Sequence, residues 1–190
     1  MKVDGNLLEK CIAGEEKAER ALFEACFPFL MRTCMLYSRD RQEAMGYLNQ
    51  GFYKILKGLK KKKKKIPFPV WAKRVVINSI IDDYRKYGKN KDIEQLVAEP
   101  VTYESKSRNF DQNLADLLFE TGDIIAMIKR LSKMTSMVFL LYAVDEYSYR
   151  EISSKLGMAE STVRWHVSKA RSDLIDMMEK KAKSKKVIYE

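Results

Sequence analysis

The sequence predicts an all-α protein made of two small helical domains that are joined by a flexible linker. Apolar residues recur every three or four positions along most of the 190 residues, which is the period of an amphipathic helix. The net charge is +9 over residues 1–88, −3 over 89–120 and +4 over 121–190, and this order places a polar linker between two folded parts. We expect an N-terminal helical bundle over 1–88, an acidic linker over 89–120, a C-terminal domain over 121–178 and a fraying basic tail over 179–190.

The N-terminal domain is expected to contain four helices. Pro28 lacks an amide hydrogen, so one helix should end before it and a new one should begin near it. Glycine, proline and lysine residues make 58–69 a loop. The predicted helices cover residues 15–26, 28–37, 42–56 and 70–87. The third has one apolar face, formed by Ala44, Leu48, Phe52 and Ile55.

The fourth predicted helix contains a β-branched run, Val75–Ile77, that would also permit a strand. The length of its pattern and Gly88, which suits the position after a helix C-terminus, favour the helix. Its core residues are expected to be Phe68, Trp71, Val75 and Ile81.

The C-terminal domain is expected to contain helices over 123–131, 134–144 and 148–156 and a last helix from about residue 161. Ser148 and Glu151 form an S-x-x-E capping box at the start of the third. Gly157 ends it, because glycine accepts the positive φ that the next turn needs. The last helix carries an apolar stripe at spacings of three and four, formed by Val163, Val167, Ala170, Leu174 and Met177.

Composition excludes several classes of function. The longest apolar run, Met137–Val144, is far shorter than the ~20 residues of a membrane-spanning helix, and the N-terminus lacks a signal-peptide pattern. Three cysteines without C-x-x-C spacing (Cys11, Cys26 and Cys34) argue against a disulfide framework or a zinc site. One histidine, His166, leaves little for acid–base catalysis. We expect a cytoplasmic protein that is not an enzyme, with no catalytic residue, no metal and no cofactor.

The stretch 148–171 is typical of a helix-turn-helix. Ser153 is small where two helices cross closely, and Val163 is spaced to pack back on the first helix. The polar, basic outer face of the second helix suits the DNA major groove, where Arg164 would contact guanine and Trp165 a thymine methyl. The alternative is an ordinary helical hairpin with a solvated face. The residues expected to contact DNA are Ser161, Thr162, Arg164, Trp165, His166, Ser168, Lys169 and Arg171.

Two further sets of residues suit nucleic acid, in keeping with a net charge of +10 that favours a polyanionic partner. Six consecutive lysines should be solvated and mobile, as a solubilising loop, as a nuclear-targeting segment in a eukaryote, or as a finger that contacts phosphates. They are Lys60, Lys61, Lys62, Lys63, Lys64 and Lys65. The fourth helix combines basic, polar and aromatic residues that suit the unstacked bases of single-stranded DNA. They are Arg74, Asn78, Tyr84, Arg85 and Lys86.

These motifs, in this order, resemble the sigma factors of bacterial RNA polymerase, specifically the small extracytoplasmic-function (ECF) group of the sigma-70 family. The resemblance covers residues 17–88 and 121–178 and rests on two family patterns. F-x-x-W-x-x-R-[VI]-x-x-N-x-x-[IL]-D-x-x-R is matched by Phe68, Trp71, Arg74, Val75, Asn78, Ile81, Asp82 and Arg85. S-Y-x-E-I-[AS]-x-x-L-G-x-x-x-x-T-V-x-x-x-[LV]-x-x-A-R is matched by Ser148, Tyr149, Glu151, Ile152, Ser153, Leu156, Gly157, Thr162, Val163, Val167, Ala170 and Arg171.

The resemblance implies two sigma regions and a set of partners. The first domain would bind the β′ subunit of core RNA polymerase and melt the −10 element of promoter DNA, with a flipped base in the loop 60–69. The second would place its last helix at the −35 element and pack on the β subunit. An anti-sigma factor is a further partner common in the family. The residues that would bind polymerase are Met45, Leu48, Asn49, Gln50 and Phe52.

The third helix departs from the family pattern A-E-D-[LI]-x-Q-[ED]-x-F. The acidic residues that usually face polymerase are absent, while Asn49 and Gln50 retain hydrogen-bonding groups. Gly46 and Gly51 are each expected to weaken the helix by about 1 kcal/mol relative to alanine. The sequence thus predicts a sigma factor, and the alternative is a stand-alone helix-turn-helix regulator that does not join polymerase.

Overall fold

A computed structural model describes residues 3–63, 65–87 and 121–188 of the chain. All regular structure within these residues is helical, and it forms two compact units, one N-terminal up to residue 87 and one C-terminal from residue 121. The all-α, two-domain fold predicted from the sequence is therefore confirmed. The expected linker at 89–120, Gly88 and the last two residues of the tail lie outside the described residues.

The N-terminal unit is a bundle of helices with one continuous core. Its elements are α1 (Gly5–Ala13), α2 (Glu16–Tyr37), α3 (Arg41–Gly58), a 3-10 turn (Leu59–Lys61) and α4 (Phe68–Tyr87). Helix α3 packs against α2 and α4, and α1 packs against α2 and the 3-10 turn. The expected face of α3, from Ala44 to Ile55, is buried. The expected loop at 58–69 is shorter than predicted, because α3 and the 3-10 turn extend into it and α4 begins at Phe68.

Helix α1 was not predicted. It is short, and its inward side is formed by the half-buried Leu7 and Leu8 and the buried Cys11. Gly14 ends it with φ +85°, and the Gly14 N–H donates to the carbonyl of Cys11 (3.1 Å). The nine residues of α1 span few helical turns and have no side-chain N-cap, so the sequence gives little indication of a helix there. A helix this short is stable only because it packs against α2.

The expected break at Pro28 is wrong, because α2 runs through this residue. Pro28 lies on the exposed side of the helix, so the carbonyl that it leaves without a helical partner faces water. On the opposite side, buried residues continue every three or four positions from before the proline to after it. They are Ala18, Leu22, Cys26, Leu30, Cys34 and Tyr37. Burial of this continuous stripe outweighs the loss of one backbone hydrogen bond.

Helix α4 is a helix and not a strand, but its predicted inward face was partly wrong. Phe68 and Ile81 are buried as expected, whereas Trp71 and Val75 are only half-buried. The main buried face is displaced by one position, to Ala72, Val76, Ile77, Ile80 and Tyr84. Both sides of this helix are rich in apolar residues, so only packing against α2 and α3 decides which side is buried.

The C-terminal unit is a second group of packed helices, in which a tight turn joins the last two. Its elements are α5 (Thr121–Arg130), α6 (Lys133–Ala143), α7 (Tyr149–Leu156) and α8 (Glu160–Ile188). Helix α8 packs against the three others. Its predicted stripe is buried from Val163 to Leu174, and Met177 is half-buried.

Helix α8 continues beyond Met178 to Ile188, in the segment where the sequence predicted a fraying tail. In this extension Lys181 Nζ lies 2.5 Å from Asp123 Oδ1 of α5. This ion pair ties the beginning of the extension to α5, and such a contact cannot be predicted from a segment that lacks large apolar residues.

The three cysteines are free thiols and all are buried. Burial raises the pKa of Cys26 to about 11 and that of Cys34 to about 12, so both remain protonated at neutral pH. In the part of the chain that the structure describes, no helix has the length and apolar character needed to cross a membrane.

Candidate nucleic-acid interface

The corner between α7 and α8 is built by the capping box and the glycine turn that the sequence predicted, together with a hydrogen bond of Ser153 that it did not predict. At the start of α7 the Glu151 N–H donates to Ser148 Oγ (3.3 Å) and the Ser148 N–H donates to Glu151 Oε2 (2.9 Å). This is the predicted capping box. At the end of α7, Gly157 has φ +66° and its N–H donates to the carbonyl of Ser153 (2.9 Å). The Ser153 hydroxyl donates to the carbonyl of Met158 (2.7 Å), so it also closes the turn.

The buried side of the corner fixes which side of α8 faces outward. Ile152 and Leu156 of α7 and Val163 of α8 are at most 3% exposed. The opposite side of α8 is polar and basic. Ser161, Arg164, Trp165 and Arg171 are exposed there, and Thr162, Ser168 and Lys169 are half-buried.

Lys169 and Arg164, two basic residues of this face, differ in the strength of their ion pairs. Lys169 Nζ lies 2.6 Å from Asp173 Oδ1, and both side chains are about two-thirds buried. Arg164 lies 3.9 Å from Glu160 through its guanidinium, and its side chain is 62% exposed. A surface ion pair at this distance is weak. Arg164 is therefore the more available cation for DNA.

Stacked tyrosines lie beside the two arginines of α8. The rings of Tyr142 and Tyr149 are 4.7 Å apart and nearly parallel, at 7°. The Arg164 guanidinium lies over the Tyr149 ring at 4.7 Å, and that of Arg171 lies over the Tyr142 ring at 5.6 Å. This arrangement was not predicted, since three helices supply its members and no spacing in the sequence indicates it.

His166 is not on the outer face of α8, contrary to expectation. It is 3% exposed, and its Nδ1 lies 3.0 Å from Thr135 Oγ1 of α6. Burial lowers the pKa of His166 to about 4, so the ring is neutral at pH 7. Next to it, Trp165 packs edge-to-face against the imidazole at 4.8 Å. His166 is thus a core residue and is not available for DNA contact.

Helix α4 of the N-terminal unit carries a polar stripe. Arg74, Asn78 and Arg85 share one side of the helix by their spacing, and the two arginines are exposed while Asn78 is half-buried. Lys86 is also exposed. Tyr84, expected beside them, is 3% exposed and belongs to the core, so its ring is not available to stack on a base.

The C-terminal end of this stripe lines a shallow groove between α3 and α4. The groove has a volume of about 440 Å³ and contains both signs of charge, from Lys54, Asp82, Asp83, Arg85 and Lys86. Lys54 Nζ lies 2.9 Å from Asp82 Oδ2 and joins the two helices across it. The surplus of positive charge is therefore small here, and the exposed Arg74 lies outside the groove.

The lysine run begins in the 3-10 turn, which is held by the buried Leu59. Lys60, Lys61, Lys63 and Lys65 are exposed. Lys62 is half-buried, and its Nζ donates to the carbonyl of Lys63 (3.2 Å). Lys64 lies outside the described residues. The exposed lysines present a cluster of positive charge next to the start of α4.

The expected polymerase-binding residues divide between the surface and the core. Asn49 and Gln50 are exposed and Met45 is half-buried, but Leu48 is 0% and Phe52 8% exposed. Leu48 and Phe52 are therefore core residues, and their side chains are not exposed for contact with a partner. Tyr53, which was not predicted as a contact residue, is 60% exposed on the same helix, and Lys57 Nζ lies 5.5 Å from its ring centre.

Comparison with known families gives two matches. A family model described as sigma-70 region 2 matches residues 22–90, and one described as sigma-70, region 4 matches residues 121–174. Together they cover about two-thirds of the chain. No curated protein matches it.

Two solved structures are similar to the chain. One is the sigma factor RpoE in complex with the anti-sigma factor NepR from Bartonella quintana. It has 17% identity and a TM-score of 0.50, and the match covers 84% of this chain and 96% of that chain. The other is CnrH in complex with the cytosolic domain of CnrY, with 16% identity, a TM-score of 0.45, and coverage of 91% and 95%. The likeness to the first shows a shared fold.

Proposed function

The chain belongs to the sigma-70 family of RNA polymerase sigma factors, and we propose that it directs core polymerase to specific promoters and assists the opening of the DNA strands. The pairing of region 2 with region 4 in one short chain is that of the ECF group. The observation that carries the proposal is the exposed basic face of α8, held outward by the buried corner with α7.

The C-terminal unit would recognise the −35 element. The start of α8 would enter the major groove, with Arg164 on a guanine and Trp165 on a thymine methyl. Their exposure supports this role. Ser161, Thr162, Ser168, Lys169 and Arg171 would contact neighbouring bases and phosphates, whereas the burial of His166 removes it from this set.

The N-terminal unit would act at the −10 element. The exposed lysines between α3 and α4 would contact phosphates and add affinity without sequence preference. Arg74, Asn78, Arg85 and Lys86 would hold the separated strand along α4. Each flipped base costs a few kcal/mol of stacking, and these contacts would offset that cost.

Core polymerase would bind the exposed side of α3. Met45, Asn49 and Gln50 remain candidates there, and the exposure of Tyr53 adds an aromatic residue of the kind that anchors interfaces. The C-terminal unit would contact the β subunit. An anti-sigma factor is a further proposed partner, since the similar RpoE structure contains one. The protein would act by binding, without catalysis or a cofactor, in the cytoplasm where polymerase and DNA meet.

Run-off transcription tests this function. Purified protein is mixed with core RNA polymerase from its host and sheared genomic DNA, and the 5′ ends of the transcripts are sequenced. We expect starts that share one −35/−10 pair, and co-elution of the protein with core polymerase on gel filtration. Core polymerase alone is the control.

The alternative is a regulator that binds duplex DNA alone, and the missing acidic residues of α3 favour it. Tight, sequence-specific binding of free protein to DNA, with neither transcripts nor a polymerase complex, would establish that alternative and overturn the sigma-factor proposal.

A further inference from the structure

A column of four side chains lies along the recognition face of the C-terminal unit. In order it contains Arg164, Tyr149, Tyr142 and Arg171, with successive separations of 4.7, 4.7 and 5.6 Å. Both cation–ring distances are within the ~6 Å at which a guanidinium is attracted to an aromatic face. The column joins α6, α7 and α8.

The position of Tyr149 in the column is fixed by the start of α7. Tyr149 directly follows Ser148, the residue that is held by the capping box of α7. The ring of Tyr142 stacks on that of Tyr149, with 4.7 Å between the ring centres and 7° between the planes, and this contact further restricts the orientation of Tyr149. Because an aromatic side chain has few rotatable bonds, the Tyr149 ring offers Arg164 a surface of defined orientation.

A contact through the face of the Tyr149 ring restrains Arg164 without requiring its hydrogen-bond donors. A guanidinium that lies flat on a ring keeps its N–H groups at its edge, where they can approach guanine O6 and N7. The Glu160 carboxylate at 3.9 Å is too distant to fix this orientation. An arginine that is already oriented loses less side-chain entropy on binding.

Arg171 lies at the other end of the column, two helical turns after Arg164. In a recognition helix the N-terminal residues approach base edges, so a residue two turns later is better placed for phosphate. The column therefore links a base-contacting arginine to one that fixes the position of the helix on the DNA backbone.

We propose that Tyr142 and Tyr149 are positioning residues for DNA recognition, which orient Arg164 and Arg171 without contacting a base themselves. This inference rests on the proposed recognition of the −35 element by α8. It assigns part of the sequence discrimination of Arg164 to Tyr149, and the orientation of Tyr149 to its stacking on Tyr142.

The test compares Tyr149→Leu, which removes the ring, with Tyr149→Phe, which keeps it. Full-length protein with core polymerase is measured on its best promoter and on the same promoter with the guanine opposite Arg164 replaced. We expect Tyr149→Leu to lower the discrimination between these DNAs by about two- to fivefold, the effect of an exposed cation–π contact. Tyr149→Phe should retain most of it, and the salt dependence of binding should not change.

A double-mutant cycle separates positioning from general damage. In a chain that already carries Arg164→Ala, Tyr149→Leu should cause no further loss of discrimination, because its effect passes through Arg164. A full additional loss in the double variant, or unchanged discrimination in Tyr149→Leu, would overturn the proposal.

A measurement without DNA covers the case in which Tyr149→Leu fails to fold. In the NMR spectrum of the free, full-length wild type, ring stacking should shift the Arg164 side-chain protons upfield, and Tyr149→Phe should keep that shift. Arg164 protons at ordinary positions would overturn the column itself. If the wild type selects no promoter, the proposed function fails instead, and the NMR result distinguishes the two failures.

Discussion

Arg164 is the residue on which base recognition by the C-terminal unit should depend most. Its side chain is 62% exposed, and it stacks on Tyr149. We predict that Arg164→Ala weakens binding to the best promoter by about 1–3 kcal/mol and relaxes the preference at one −35 position. Transcription from promoter variants measures both effects. Arg130→Ala, which removes the same charge at the end of α5, is the matched control. An unaltered preference in Arg164→Ala would show that α8 does not enter the groove as proposed.

His166 should make the stability of the C-terminal unit depend on pH. Burial lowers its pKa from 6.5 to about 4, so the folded state favours the neutral ring. This contribution is complete above pH 6.5 and is lost as the pH falls from about 6.5 to about 4, by a few kcal/mol in total. We predict a fall in the free energy of unfolding over this range, measured by urea unfolding.

His166→Gln is the control for this pH dependence. Glutamine keeps a polar group near Thr135 but does not titrate. The difference in stability between wild type and variant should therefore shift in favour of the variant as the pH is lowered. A difference that stays constant from pH 7 to pH 4 would contradict the assignment.

At the scale of elements, two glycines in the interior of α3, Gly46 and Gly51, have opposite roles that the sequence does not distinguish. A Cβ added at Gly51 would lie 2.8 Å from Val76 Cγ2 and 3.2 Å from Val76 Cα of α4, whereas one added at Gly46 would have no neighbour within 4 Å. Gly51 therefore allows α3 and α4 to approach closely, and Gly46 only costs helix propensity.

We predict that Gly51→Ala destabilises the N-terminal unit by about 1–3 kcal/mol, because two backbones must separate. Gly46→Ala should instead stabilise it by up to about 1 kcal/mol. Thermal unfolding of the full chain, monitored by circular dichroism, measures both changes, and each variant serves as the control for the other. Equal shifts of the same sign would contradict the close approach at Gly51.

At the scale of the whole molecule, a net charge of +10 predicts strong salt dependence of DNA binding. Replacing the exposed Lys60, Lys61, Lys63 and Lys65 by glutamine should weaken promoter binding and reduce the slope of log K against log salt by about 3. The preferred sequence should stay the same, since phosphate contacts carry no sequence information. Binding titrations at several salt concentrations measure the slope, and the same four positions changed to arginine are the control. A changed sequence preference would refute a role limited to phosphates.

Much of the candidate site could be predicted because its determinants are local. The capping box, the turn at Gly157 and the basic face of α8 each follow from residues within one or two helical turns of each other. The predicted site residues that proved to be buried belong to residue types that occur both at protein surfaces and in cores. His166 and Tyr84 were assigned to DNA because of their chemistry, and burial against neighbouring helices gives them a structural place instead.

The sequence by itself determined the all-α class, the two folded parts and the helix-turn-helix, because apolar period, helix caps and charge order act over short distances along the chain. Only the tertiary structure decided that α2 continues through Pro28, which side of α4 is buried, and that Gly51 is a point of close contact. It also brought Tyr142 beside Tyr149 and placed both between Arg164 and Arg171. These features depend on which helices meet, and that is set by the packing of whole faces and not by neighbours in sequence.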